Sequence, residues 1–132
     1  MPNFTLANLG TFIEIAGRKE NENLPPGKIF LKEKLGLTSC EISVNSVPEG
    51  TKSPFKHRHH QNEEIFIFLD GTGMMSVDGE EFPVREGICV KVKPAECRGL
   101  ENTGTDDLRY ICIQAKENSL EQSLFEDGEI CG

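Results

Sequence analysis

The stretch FKHRHHQNEEIFIFLDG, residues 55–71, holds all three histidines of the chain, with two glutamates close behind them. In an extended segment side chains alternate, so His57 and His59 share one face while Arg58 and His60 take the other. A reversal over 60–63 returns the chain as a second strand, with Glu64, Phe66 and Phe68 on one face and Ile65, Ile67 and Leu69 on the other. Pairing the two strands brings the Glu64 carboxylate against the two imidazoles. Two neutral imidazoles and a carboxylate offer lone pairs and one compensating negative charge, the donor set of a divalent metal with open positions. The competing reading is a solvated polar hairpin, its histidines idle between Lys56 and Arg58. The strand after Glu64 favours the metal, because a strand apolar on both faces is buried on both, and a buried carboxylate requires a cation or several donors. Glu63 and His60, on the opposite face, are expected to meet solvent.

Such a cluster has to be positioned by rigid elements, and the apolar pattern of the chain is strand-like nearly throughout. Segments of about five to eight residues are separated by Gly, Pro, Asp and Asn. Strands are expected near residues 10–16, 28–36, 38–47, 55–59, 63–71, 73–79, 80–85, 88–93, 97–103 and 107–115. Asp78-Gly79, between two alternating runs, has the composition of a two-residue hairpin turn. Residues 21–28, NENLPPGK, read as a surface loop. Helical character is confined to 118–128, where Asn118 or Ser119 caps a segment with Leu120 and Leu124 on one face. Many short strands of even spacing point to an all-β domain, a double-sheet jelly roll or small closed barrel, with a short C-terminal helix.

The 132 residues suit one domain. Twenty-two acidic against fourteen basic residues give a formal charge of −8, which disfavours nucleic acid and anionic membranes as partners. No run approaches the ~20 apolar residues that span a bilayer, and the start of the chain has no leader-like pattern. A cytoplasmic location is the expectation. The five cysteines, Cys40, Cys89, Cys97, Cys112 and Cys131, form an odd set without a CxxC pair, against a disulfide framework or a four-cysteine zinc site. Cys40, Cys89 and Cys112 lie in apolar runs and read as small buried hydrophobes.

The sequence GTKSPFKHRHHQNEEIFIFLDG resembles the first motif of the cupin superfamily, approximately G-x5-H-x-H-x3,4-E-x6-G. Gly50, His57, His59, Glu64 and Gly71 take the motif positions, with one extra residue before His57. The second motif, G-x5-P-x-G-x2-H-x3-N, is only partly present in GICVKVKPAECRGLEN. Gly87, Pro94 and Asn102 have counterparts, Pro94 one place late, but Ala95 replaces the glycine and Arg98 the histidine. The resemblance spans roughly 38–116. It implies a single jelly-roll cupin domain over 1–132, with N-terminal strands and a loop in 1–37, the barrel core in 38–116 and a tail in 117–132.

The resemblance further implies one divalent ion, Fe, Mn, Ni or Zn, on His57, His59 and Glu64, without the usual fourth ligand. Arginine has no acceptor and cannot ligate. Two outcomes stay open: Arg98 anchors an anionic ligand beside the metal, or it pairs with Glu64 in the metal's place. Arg98, Gln114, Phe66 and Tyr110 are the candidate substrate-binding residues. The function is then a metal-dependent enzyme on a small anionic metabolite, dioxygenase-, isomerase- or decarboxylase-like. The alternative is a non-catalytic module that binds or senses a sugar or organic acid, with or without metal. The apolar outer face of the 64–69 strand requires a cover, and a homodimer supplies one.

Overall fold

A computed structural model describes residues 3–54 and 56–132. In chain order the elements are α1 (Phe12–Ala16), β1 (Lys28–Phe30), α2 (Lys32–Leu35), β2 (Glu41–Val47), β3 (Asn62–Asp70), β4 (Thr72–Val77), β5 (Glu80–Arg85), β6 (Cys89–Val92), β7 (Arg98–Asn102) and β8 (Leu108–Lys116). The strands form an antiparallel five-stranded sheet ordered β1-β2-β8-β3-β6 and a three-stranded sheet ordered β5-β4-β7. This is the all-β jelly roll expected from the strand pattern. Among the described residues no helix is long and apolar enough to cross a membrane.

Strand alternation and register decide what the two sheets enclose. Across the larger sheet, Lys28 pairs with Asn45, Asn45 with Tyr110 and Tyr110 with Phe68. The neighbouring row runs from Phe30 through Ser43 and Cys112 to Phe66, and beyond it Glu41, Gln114, Glu64 and Val92 lie in line. These rows face inward. At one end Val47, Phe68, Met75, Val84 and Leu108 close into an apolar core with Phe66, Tyr110 and Cys112; at the other the inner face turns polar. The core rings support one another, Phe66 stacking on Phe68 at 6.3 Å and Phe68 tilting against Tyr110 at 5.5 Å. The β4–β5 hairpin turns on Asp78 and Gly79, with φ of 49° and 85°, the pair of positive angles that matches strand twist.

Four expected elements are absent or altered. Residues 12–16 form a helix in place of a strand, because Thr11 and Glu14 make a reciprocal capping box: Glu14 N–H donates to Thr11 Oγ1 at 3.2 Å and Thr11 N–H to Glu14 Oε1 at 3.2 Å. The expected strand 28–36 stops at Phe30, and Lys32–Leu35 make one helical turn ended by left-handed Gly36, φ 67°. No helix forms after Lys116: Leu120, Leu124 and Phe125 are exposed and the tail carries only turns. A segment so short has too few hydrogen bonds to offset its nucleation without a packed face. The expected strand 55–59 begins at Phe55, outside the described residues; its remainder makes a single bridge, His57 to Arg98. Of the cysteines, Cys112 is buried, Cys40 half-buried and Cys89 exposed at the edge strand β6.

Helix α1 covers the outer face of the larger sheet at its β1–β2 end. Ile15 and Ile29 are both buried there, and the Arg109 guanidinium on β8 lies 5.2 Å from the Phe12 ring. Farther along, Ile42, Ile113 and Ile65 form one outward row, and Val44, Ile111 and Ile67 the next, all half-buried.

Gly27 and Gly79 both hold left-handed backbone, φ 96° and 85°. A Cβ at Gly79 would meet open space, whereas at Gly27 it would overlap the Ser46 carbonyl. In urea denaturation Gly79→Ala is expected to cost about 1 kcal/mol, from backbone conformation alone, and Gly27→Ala at least about twice that. Equal losses would show that the Ser46 contact yields freely.

Candidate metal centre

Glu64 lies on the inner face of β3, paired with Val92 of β6 and Gln114 of β8, and is 5% exposed. His59 Nε2 lies 3.5 Å from Glu64 Oε2 and His57 Nε2 4.0 Å from Oε1. The imidazole rings meet edge to face with centroids 5.1 Å apart. One ligand atom from each of the three residues falls within 4.8 Å of the others. The structure thus brings together the three residues that the spacing picked out, and Arg58 and His60 are exposed as alternation requires; Glu63, expected in solvent, is half-buried.

The histidines come from a loop, and the second motif's segment holds that loop in place. His57 N–H donates to Arg98 O at 3.1 Å and Arg98 N–H returns a bond to His57 O at 2.9 Å. Ala95 N–H donates to His59 O at 2.6 Å. Ala95 does so from left-handed backbone, φ 72°, a conformation in which its Cβ crowds the following carbonyl and glycine does not. The position where the motif has glycine thus holds left-handed backbone here although the residue is alanine.

Arg98 is 1% exposed, and its Nε lies 3.7 Å from Glu64 Oε1, beyond hydrogen-bond range. One guanidinium nitrogen, Nη2, donates to Lys93 O at 3.0 Å. Arg98 Nε and Nη1, Glu64 Oε1 and His59 Nε2 are buried without a hydrogen-bond partner among the described residues. Native interiors rarely leave four such groups together. A cation on the two acceptors and an anion on the two donors would satisfy all four, so the residues present fit a bound metal with an anionic ligand beside it. Burial is the main influence on His57 and pushes its pKa below the usual imidazole value, with Glu64 opposing; the shift favours the neutral imidazole that metal ligation needs.

These groups line one cavity of about 270 Å³. Gln114, Phe66 and Tyr110 also form part of its wall, with the Gln114 carbonyl oxygen accepting from Asn62 Nδ2 at 3.0 Å. Cys112, in contact with Glu64 and Ser43, has its thiol pKa pushed up mainly by burial, and burial likewise raises the Tyr110 phenol. Both therefore enter as neutral donors. Lys28, Ser43 and Asn45 belong to the wall as well, although no local sequence signal marks them. Alternation alone puts Lys28 on the side of Phe30; what was lacking was the register that turns that side inward.

Residues 44–114 match the family model of the cupin domain. An uncharacterised protein of Methanocaldococcus jannaschii is 36% identical over 66 residues, 50% of this chain and 52% of that protein. The oxalate-binding protein of Thermotoga maritima is 30% identical over 57 residues, 43% of this chain and 47% of that one. The chain spans about half the length of the curated relatives it matches. The crystal structure of a cupin protein from Bacteroides fragilis is similar with a TM-score of 0.84, at 29% identity and 99% coverage of both chains.

Ala95→Gly is expected to raise unfolding stability by about 0.5–1 kcal/mol, because glycine removes the left-handed penalty while adding some freedom to the unfolded chain. Chemical denaturation reads it directly. A loss of stability would mean that the alanine methyl is held by packing worth more than the backbone cost.

Proposed function

The chain belongs to the cupin family, and on that premise we propose that it is a metal-dependent enzyme acting on a small anionic metabolite. His57, His59 and Glu64 hold one divalent ion, Fe, Mn, Ni or Zn, and Arg98 anchors the anion. The observation that carries this reading is the convergence of His59 Nε2 and Glu64 Oε1 with the donors Arg98 Nε and Nη1, all four buried without a hydrogen bond. The bound ion supplies Lewis acidity or oxygen activation at its open positions. The chain's own part is to bind and orient. Arg98 offers planar N–H donors suited to a carboxylate or phosphate. The bond from its Nη2 to Lys93 O holds the plane of the guanidinium. Phe66 and Tyr110 form apolar walls that exclude water, which strengthens every charge interaction inside. A relative that is an oxalate-binding protein is consistent with a small carboxylate here, and the reaction is of the dioxygenase, isomerase or decarboxylase kind.

A second reading is supported by the 3.7 Å approach of Arg98 Nε to Glu64 Oε1: the guanidinium replaces the metal's charge, and the cavity is a metal-free binding or sensing module for an organic acid or sugar.

Metal analysis separates the two. Protein purified without chelator, or reconstituted with Fe, Mn, Ni or Zn, is expected to hold one ion per chain. His57→Ala and Glu64→Gln should weaken metal affinity at least tenfold with the far-UV spectrum intact, and Arg98→Ala should keep the metal while losing anion binding. No metal in either preparation would sink the enzyme reading. Failure of Arg98→Ala to fold would support the ion pair, since removing one partner of a buried pair costs about 3–5 kcal/mol.

We also propose that two copies pair through the outer face of the larger sheet. Two adjacent rows of branched aliphatics, Ile42-Ile113-Ile65 and Val44-Ile111-Ile67, form a surface that is complementary to itself under a twofold axis. Light scattering at micromolar concentration should give a dimer mass for the parent chain and a monomer mass for Ile67→Lys. A parent chain that is monomeric there would overturn the pairing.

A further inference from the structure

The inner face of β1 carries a cation that the metal centre does not use. Lys28 Nζ donates to Ser43 Oγ at 3.1 Å and to Asn45 Oδ1 at 3.0 Å. The aromatic faces of Phe30 and Tyr110 lie 5.4 and 5.8 Å from it. No carboxylate of the described residues comes within 4.0 Å of Nζ. An ammonium has three N–H groups, and two are spent on neutral oxygens, which leaves one for a ligand.

The supports of this cation are themselves fixed. Asn45 is fully buried, and its Nδ2 donates to Ser43 Oγ at 3.1 Å and to Tyr110 O at 3.2 Å, so its oxygen is left facing Lys28. Gly27, whose φ of 96° and contact with Ser46 admit no side chain, sets the start of β1 against β2. Ser46 N–H donates to Gly27 O at 2.8 Å.

The charges of the cavity wall are out of keeping with the rest of the molecule. Lys28, Arg98 and the exposed Lys52 stand with two carboxylates, Glu41 and Glu64, in a chain whose formal charge is −8. Glu41 is held by its own backbone partners, its Oε1 accepting from the N–H groups of Leu31 and Lys32 at 3.2 and 2.9 Å, and still acts on Lys28 by its charge. A divalent ion on Glu64 and the histidines would increase the positive excess. Positive charge added there by such an ion is costly to leave uncompensated, and the anionic groups of a ligand would compensate it. The cavity, about 270 Å³, is of a size that suits a small metabolite.

We propose that Lys28 is a second anion anchor, and that the ligand is a small dianion, two anionic groups on one short chain, with one end on Arg98 and the other on Lys28. The proposal rests on the reading of Arg98 as an anion anchor, and it deepens that reading from one anionic group to two. Burial is the main influence on the Lys28 amine and lowers its pKa, with Glu64 and Glu41 opposing. An incoming anion restores the solvation that burial removed.

Titration calorimetry on metal-loaded and metal-free protein tests this with matched probes. Malonate, succinate and glutarate are compared with propionate, butyrate and valerate, and phosphoglycolate with glycolate; the two sets tell a second carboxylate from a phosphate. One dianion is expected to bind the parent chain at least tenfold more tightly than its monoanionic match. Lys28→Met should bring that ratio to within twofold of one while leaving metal content unchanged, and Lys28→Arg should retain the preference. Lys28→Gln serves if the methionine variant melts early. A parent chain without dianion preference, or a preference that survives in Lys28→Met and Lys28→Gln, overturns the proposal. If Arg98→Ala leaves binding intact while Lys28→Met removes the preference, the Arg98 reading falls and the Lys28 anchor stands. If the metal is absent but the Lys28-dependent preference persists, only the metal reading fails.

Discussion

Glu64 stands on β3 in the larger sheet, flanked by β6 and β8 and 5% exposed, and a carboxylate in such a place is tolerable only with compensating charge or donors around it. The surrounding arrangement answers that requirement. His57 and His59 approach it from the loop, Arg98 from β7, and Cys112 from the next strand. Each of these comes from a different part of the chain. The demand of one buried carboxylate therefore binds four segments into one centre.

The same demand explains why the histidine loop can do without a regular strand. Two backbone bonds between His57 and Arg98 and one from Ala95 to His59 fix the imidazoles, so precision comes from three well-placed hydrogen bonds instead of a continuous ladder. Ala95 accepts a left-handed backbone to provide the third. Strain of this kind persists where the surrounding structure over-determines it. Arg98 has a double part: its backbone positions one histidine while its guanidinium faces the carboxylate that both histidines approach.

Much of the fold was legible because alternation is a direct consequence of strand geometry. The 80–85 strand and the Asp78-Gly79 turn follow from the local residues alone, and so does the grouping of His57, His59 and Glu64. The misses have equally local causes. Residues 12–16 alternate like a strand, but the Thr11–Glu14 box satisfies helix-end donors and decides for helix. In the tail, the spacing of Leu120 and Leu124 is helical, yet nothing packs on that face. Lys28 illustrates a different limit. Its place in the cavity depends on pairing with Asn45, and Asn45 with Tyr110 far along the chain, information that no window of sequence around Lys28 contains.

The strand order β1-β2-β8-β3-β6 also has a meaning for assembly. β8, the last strand of the barrel in chain order, lies between β2 and β3 and joins the Lys28 side of the cavity to the Glu64 side. Pairings so distant in sequence form slowly, after the loop-closure cost has been met. Until β8 is inserted, the two halves of the sheet have no common wall, and the cationic and metal-binding groups belong to separate fragments. The cavity therefore exists only where β8 lies between β2 and β3, one strand closing the gap between two edges that share no hydrogen bond of their own.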